Sequence, residues 1–361
     1  MRLFQNSGVY PSYLPRLRAL TRNCTSFEAQ VAAFLGDRFG AAHFLQPVLN
    51  RDTAAFFTNG DDDVLQRQWA RENGLSANAT LEAILLAQIE HHRTEVFYNI
   101  DPVRYGSAFL RKLPRCVRKS IAWRAAPSPG ADFAAYDLMV CNFPSIIESY
   151  RQCGWQAQYF APAHDAEMDV YAGNTDRPID VLFVGGYSRH HRRRAQLLDV
   201  VAGLRRSVKV LYHLDRSRLT RLAESPVGNL LPLAVHRRPS DVRAVSQDPI
   251  FGRDLYTAIS RAKIVLNGAI DMAGLDRGNM RCFEAMGCGG ALLSDEGNYP
   301  QGMAPGVNLL TWRDPADAAR RIRELLDDDA RRIDMARAGY EMISQNYSKH
   351  RQWQQFLQLA S

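Results

Sequence analysis

The chain has 361 residues, 46% hydrophobic and 23% charged. That is too apolar for a disordered segment and, at roughly 100–200 residues per domain, long enough for two domains. Gly 24 and Pro 17 exclude a collagen-like or low-complexity array. The formal charge is +7, and only five of the 45 basic residues are lysines, so guanidinium forks suited to phosphate and carboxylate dominate, a bias that a GC-rich genome produces equally well.

Six cysteines (Cys24, Cys116, Cys141, Cys153, Cys282, Cys288) form no C-x-x-C pair and have no closely spaced histidine, which argues against structural zinc. Cys141 ends an apolar run and reads as a buried free thiol in a reducing compartment. The opening residues lack an apolar signal core, and no stretch approaches the roughly 18 apolar residues of a membrane span. A soluble, cytoplasmic protein is expected.

In chain order, the first half alternates short apolar runs with helix-periodic segments. Predicted strands are residues 2–5, 54–58, 96–100, 120–124, 137–142 and 157–161, and predicted helices include 63–73 and 81–92. This alternation is the signature of βαβ units and a parallel sheet, and the unbroken apolar runs suit strands covered on both faces. Residues 164–178 are polar and end in Pro178, so they read as an inter-domain linker. The pattern then restarts with strands at 179–186, 208–213, 263–269, 291–295 and 307–312. Helices are predicted at 193–204, 253–261, 280–287, 315–326 and 330–346, with Asp314 as an N-cap. Two α/β domains in series, 1–165 and 179–345, place a ligand cleft at their strand C-terminal edges. A dinucleotide fingerprint is missing after the first strand, where Asn6-Ser7-Gly8 supplies one glycine instead of three.

The most informative segment is residues 278–298. A strand runs into a loop, and a short helix starts near Asn279, so its first-turn N–H groups offer a phosphate site. Glu284 lies within that helix, where a carboxylate commonly accepts ribose hydroxyls; an ion pair with Arg281 is the competing reading. Asp276 stands eight residues earlier, and Gly287, Gly289 and Gly290 turn the chain into the next strand.

Asn279-Met280-Arg281, Phe283-Glu284-Ala285-Met286, Cys288-Gly289-Gly290 and Leu292-Leu293-Ser294-Asp295 resemble the C-terminal signature of GT-B glycosyltransferases. Within that group they look like the spore-maturation-protein-like (CgeB-like) branch, related to the retaining family-4 type with two acidic residues eight apart. The resemblance implies two Rossmann-like domains of α/β class with parallel sheets facing across a cleft. It also implies residues 346–361 as a helix returning to the N-terminal domain. Glu284 matches the acidic residue that holds the donor ribose, and Asp276 the one near the transferred sugar, where the family normally has Glu. Gly185 and Gly186 resemble the glycine loop after the first donor-domain strand. There the family places an Arg and a Lys on the diphosphate; here Gly186 and Arg192 stand at those positions, within the basic run Arg189 to Arg194. With Asn279, Met280 and Arg281 these residues form the expected donor site.

The implied reaction is metal-independent, retaining transfer of a sugar from a nucleotide-diphosphate donor, UDP- or GDP-linked, to a glycan, lipid-linked or protein acceptor. No tightly bound cofactor is expected. Cationic forks and a helix N-terminus stabilise the charge developing on the leaving diphosphate. Asp61-Asp62-Asp63 has the form of a metal-binding D-x-D but leads into a helix, so capping and a solvated face are the expected roles. Asp101, at a strand end of the first sheet, is a candidate general base in an inverting enzyme or an acceptor-sugar ligand. His164, beside Asp165 at the domain junction, is a candidate acid–base group. Alternatives are a sugar-nucleotide epimerase of the same fold and a basic nucleic-acid-binding protein. Interspersed acidic residues and the lack of an aromatic-rich binding motif count against the last. An acceptor at the inner face of a membrane is compatible with the exposed arginines.

Overall fold

The computed structural model describes residues 1–187, 191–226, 228, 232–268 and 273–361. The chain divides into two compact units. The first comprises Met1–Ala163, Met272–Asp276 and Tyr347–Ser361, and the second His164–Asp271 and Arg277–Asn346.

The first unit is built on six parallel strands: β1 (Leu3–Ser7), β2 (Ala55–Asn59), β3 (Val96–Asn99), β4 (Lys119–Trp123), β5 (Leu138–Cys141) and β6 (Ala157–Tyr159), in the order β2-β1-β3-β4-β5-β6. Strands β1, β3 and β5 are wholly buried, as continuous apolar runs require when helices cover both faces, whereas edge strand β6 buries only Ala157. On one face Phe4, Phe97, Ala122 and Met139 pack with Leu85, Ile89, Phe109 and Ile147. The Lys349–Ala360 helix belongs to this unit and buries Phe356 against Tyr98. Its Lys349 ammonium is buried and donates to the carbonyls of Ala41, Ala42 and Phe44 at 2.6, 3.0 and 2.8 Å.

The second unit repeats the plan with β7 (Ile179–Gly186), β8 (Val210–Asp215), β9 (Ser246–Gln247), β10 (Ala262–Leu266), β11 (Ala291–Asp295) and β12 (Leu310–Trp312). These six strands are all parallel, in the order β12-β11-β10-β7-β8-β9. Val181, Leu198, Val201, Tyr212, Ile264, Leu293, Trp312 and Ile322 form its core.

Several expectations shift. Residues 164–178, expected as a linker, include a helix, Met168–Ala172, that belongs to the second unit; its Met168 is fully buried. The strand expected from Val307 starts only at Leu310, because Val307 is exposed and Asn308 closes a turn through Gly302 O and Ala304 N–H. The strand expected at 263–269 is β10, ending at Leu266; Ala269 lies outside the described residues. Asp314 caps its helix as expected, accepting from Asp317 N–H at 2.9 Å.

Candidate functional site

Ligands of open parallel sheets bind beyond the strands' carboxyl ends, where strand order reverses. In the second unit that reversal lies between β7 and β10. Here β7 ends in Gly185-Gly186, and a side chain added at Gly186 would meet nothing. The Arg192–Ala202 helix follows, with Arg192 exposed at its first residue. Arg189 and His190 of the expected basic run lie outside the described residues. Arg193 stacks over Trp312 and bonds Arg313 O, so it is held at the surface. Arg194, two residues beyond Arg192, turns to the sheet edge instead: its Nε donates to Gly268 O at 3.1 Å and its guanidinium lies over Phe183.

The Met280–Gly287 helix begins at the ends of β10 and β11, with Asn279 as its N-cap residue. The Asn279 side chain makes no cap bond. It exchanges amide hydrogen bonds of 3.1 and 3.2 Å with Asn267, whose Nδ2 also reaches Ser294 Oγ at 3.0 Å. The N–H groups of Met280 and Arg281, in the first helical turn, have no intrahelical acceptor and carry the positive end of the helix dipole.

Glu284 is 3% exposed, and its Oε2 accepts from Arg281 Nη1 at 2.6 Å. The ion pair weighed from the sequence is therefore formed. Oε1 has no hydrogen-bond partner among the described residues. Burial raises the Glu284 pKa, and the Arg281 charge only partly opposes that. At the helix end Gly289 adopts φ +69°, which a side chain rarely tolerates, and Gly290 packs under Val265.

In the first unit the reversal lies between β1 and β3. A buried network fixes the loops there. Asn6 Nδ2 donates to Asn99 Oδ1 and Asn6 Oδ1 accepts from Gly60 N–H, at 2.9 and 2.8 Å. Asn99 Nδ2 donates to Tyr136 Oη at 2.6 Å, and Tyr105 Oη to Gly60 O at 2.7 Å. This holds Asp101 beside Asp61, with Arg104 3.3 Å from the former and 4.0 Å from the latter. Gly8 is needed for the close approach, since a Cβ there would sit 3.1 Å from Asp101 Oδ2. Burial raises the pKa of both carboxyls against the Arg104 charge, and in Asp61 the Val9 N–H opposes it first. The D-x-D run is dispersed as expected: Asp61 accepts from Val9 N–H, Asp62 caps its helix at Val64 N–H and pairs with Arg18, and Asp63 pairs with Arg67. Among the described residues no three His, Cys, Asp or Glu side chains are grouped to hold a metal.

Two expected catalytic residues are placed otherwise. Asp276 belongs to the first unit, where its Oδ2 accepts from Ser145 N–H at 2.7 Å and so caps the Pro144–Gln152 helix; Glu284 belongs to the second. His164 is 4% exposed, with Nε2 2.7 Å from Asp169 Oδ1 and Nδ1 packed against Gly287. Its Nε2 is thus engaged by Asp169. Sequence reasoning missed Asn267 and Arg194. The signal for Asn267 was a lone amide closing the apolar run at Leu266; Arg194 was hidden among five other basic residues.

Residues 188–358 match the model of a glycosyl transferase-like family. The chain is similar to Anabaena HepE, solved with UDP and glucose, at TM-score 0.60 and 12% identity over 99% of both chains. It is similar to sucrose-phosphate synthase from Thermosynechococcus elongatus at TM-score 0.52 and 12% identity, over 99% of this chain and 97% of that one. TarM of S. aureus, solved as a mutant with UDP, Fondaparinux and alpha-GlcNAc-glycerol, gives TM-score 0.54 at 10% identity, over 78% of this chain and 59% of that one. At these identities the likeness is one of fold, and it is the GT-B fold expected. No curated protein matches the chain in sequence. The expected α/β architecture of two parallel sheets is borne out as well. No described helix is long and apolar enough to cross a membrane.

Proposed function

We propose that the second unit binds a UDP-sugar and that the glycosyl group passes, with retention and without a metal, to a glycan hydroxyl held by the first unit. The observation that carries this reading is the Met280–Gly287 helix. Its uncapped first turn stands beyond the carboxyl end of β10, the strand that borders the strand-order reversal, and a buried carboxylate one turn along keeps one oxygen free. The helix N-terminus takes the diphosphate, Arg192 supplies a charge to it, and Glu284 Oε1 accepts the ribose hydroxyls. As the glycosyl bond breaks, negative charge grows on the leaving diphosphate, and these fixed dipoles stabilise it without reorganising. Uridine is favoured over guanosine because HepE and TarM were solved with UDP.

Asp101, paired with Asp61 and raised in pKa by burial, is the acceptor-hydroxyl contact. Retention is supported by the resemblance of the Glu284 helix and its flanking residues to those of retaining family-4 enzymes, within the CgeB-like branch. Asp276 is already engaged by Ser145 and takes no part in binding the sugar. The protein works in the cytoplasm.

Thermal melts with UDP, GDP, ADP, CMP and dTDP test the donor. UDP should stabilise by mass action, about 2.7 kcal/mol at a hundredfold excess over Kd, and the others less. Stabilisation by another nucleotide alone overturns the uridine assignment. NMR of the sugar first released when water replaces the acceptor tests retention: the donor's own anomer supports it, the opposite anomer overturns it.

A further inference from the structure

We infer that Asn267 is a positioning residue that holds the donor-phosphate seat open. It does so by drawing the Asn279 side chain away from the N-terminus of the Met280–Gly287 helix. The inference rests on the donor reading above.

Asparagine is among the best N-cap residues, and its side-chain oxygen normally accepts from the N–H two or three residues on. Asn279 has the backbone of an N-cap, with φ −62° and ψ 164°, yet makes no such bond. Elsewhere in the chain Ser26, Asp62, Thr80, Ser217, Asp314 and Ser348 all cap their helices through the side chain. Asn279 differs because both ends of its amide are engaged. Its Oδ1 accepts from Asn267 Nδ2 at 3.1 Å and from the Cys282 thiol at 3.3 Å, and its Nδ2 donates to Asn267 Oδ1 at 3.2 Å.

Asn267 is itself immobilised. It is 5% exposed, its Nδ2 also reaches Ser294 Oγ on β11, and its carbonyl accepts from Trp312 Nε1 at 3.2 Å on β12. The amide pair therefore ties the helix entry to neighbouring strand ends while leaving the Arg281 N–H without the cap its own sequence supplies. A side-chain cap there would compete with a phosphate for the same donor. Breaking it would cost the anion about what a cap contributes, roughly fivefold in affinity.

The test measures UDP affinity by titration calorimetry, alongside melting temperature, for four variants and a control. Asn267→Ala frees Asn279 to cap the helix and should weaken UDP about fivefold. Asn267→Ala with Asn279→Gly, which has no capping side chain, should recover most of that loss. Asn279→Ser, a good cap too short to reach Asn267, should bind UDP several-fold more weakly than Asn279→Gly while melting no lower. A merely structural role predicts the reverse, with affinity following melting temperature, and that result overturns the inference. The Asn279 pair decides the matter even where Asn267→Ala fails to fold, because Asn279 is only half-buried. Glu284→Ala is the control: unchanged UDP affinity there overturns the donor reading itself. Weakened affinity in Glu284→Ala with wild-type affinity in all four asparagine variants overturns only the role given to Asn267.

Discussion

Glu284 sits under electrostatic tension in the candidate donor site. A buried carboxyl whose native pKa is raised favours the protonated form in the folded state. The unfolded chain ionises first, near its ordinary 4.5, so folding stability that is complete below that value is lost as pH rises through the native pKa. Glu284→Gln removes this loss. Urea denaturation should find the variant gaining on the wild type as pH rises above about 4.5, while UDP binding falls about tenfold for the lost carboxylate–ribose bonds. A stability difference that stays constant with pH contradicts the assignment. Gly289 makes a sharper steric demand, because at φ +69° a Cβ would lie 2.9 Å from Ala172 O and from Arg177 Nη2. Gly289→Ala is expected to cost about 1–3 kcal/mol in denaturant melts. An unchanged midpoint would show that the turn into β11 relaxes freely.

At the scale of elements, the Lys349–Ala360 helix is fastened to the first unit by one buried ammonium on three carbonyls. Lys349→Met removes these three bonds, although Ala41 O keeps the Phe44 N–H and Ala42 O keeps the Ala163 N–H and Gln352 Nε2. It should lower stability by about 1–3 kcal/mol, read from urea denaturation; a loss within error of zero would mean that the remaining contacts of the helix hold it. The strands themselves were legible because each is a short apolar run between polar helices, and in parallel sheets that run is the whole signal. Elements without such a run were not. Two-residue β9, Ser246–Gln247, has no apolar pattern, and the short Met168–Ala172 helix buries only its first residue. Asn279 could be read as the start of a helix, since local pattern is enough for that. Its diversion to Asn267, twelve residues back, and the tie to Ser294 are tertiary facts. Counting eight residues from Asp276 to Glu284 likewise gave no sign that the two carboxylates fall in different units.

For the molecule as a whole, each unit places its polar groups beyond the carboxyl ends of a parallel sheet, at or beside the reversal of strand order. In the second unit these groups are an open helix N-terminus, an exposed arginine and a half-engaged carboxylate. In the first they are two carboxyls around Arg104. The net charge of +7 pointed to an anionic partner, but many arginines are engaged in structure: Arg238 with Glu224, Arg277 with Asp295, Arg216 with Asp248. Position, more than charge, favours a nucleotide diphosphate. The most direct measurement is titration calorimetry of UDP into the wild type and Glu284→Ala. One site per chain is expected, weakened at least tenfold by the substitution; the absence of UDP binding, or equal affinity in both proteins, would contradict the donor site described above.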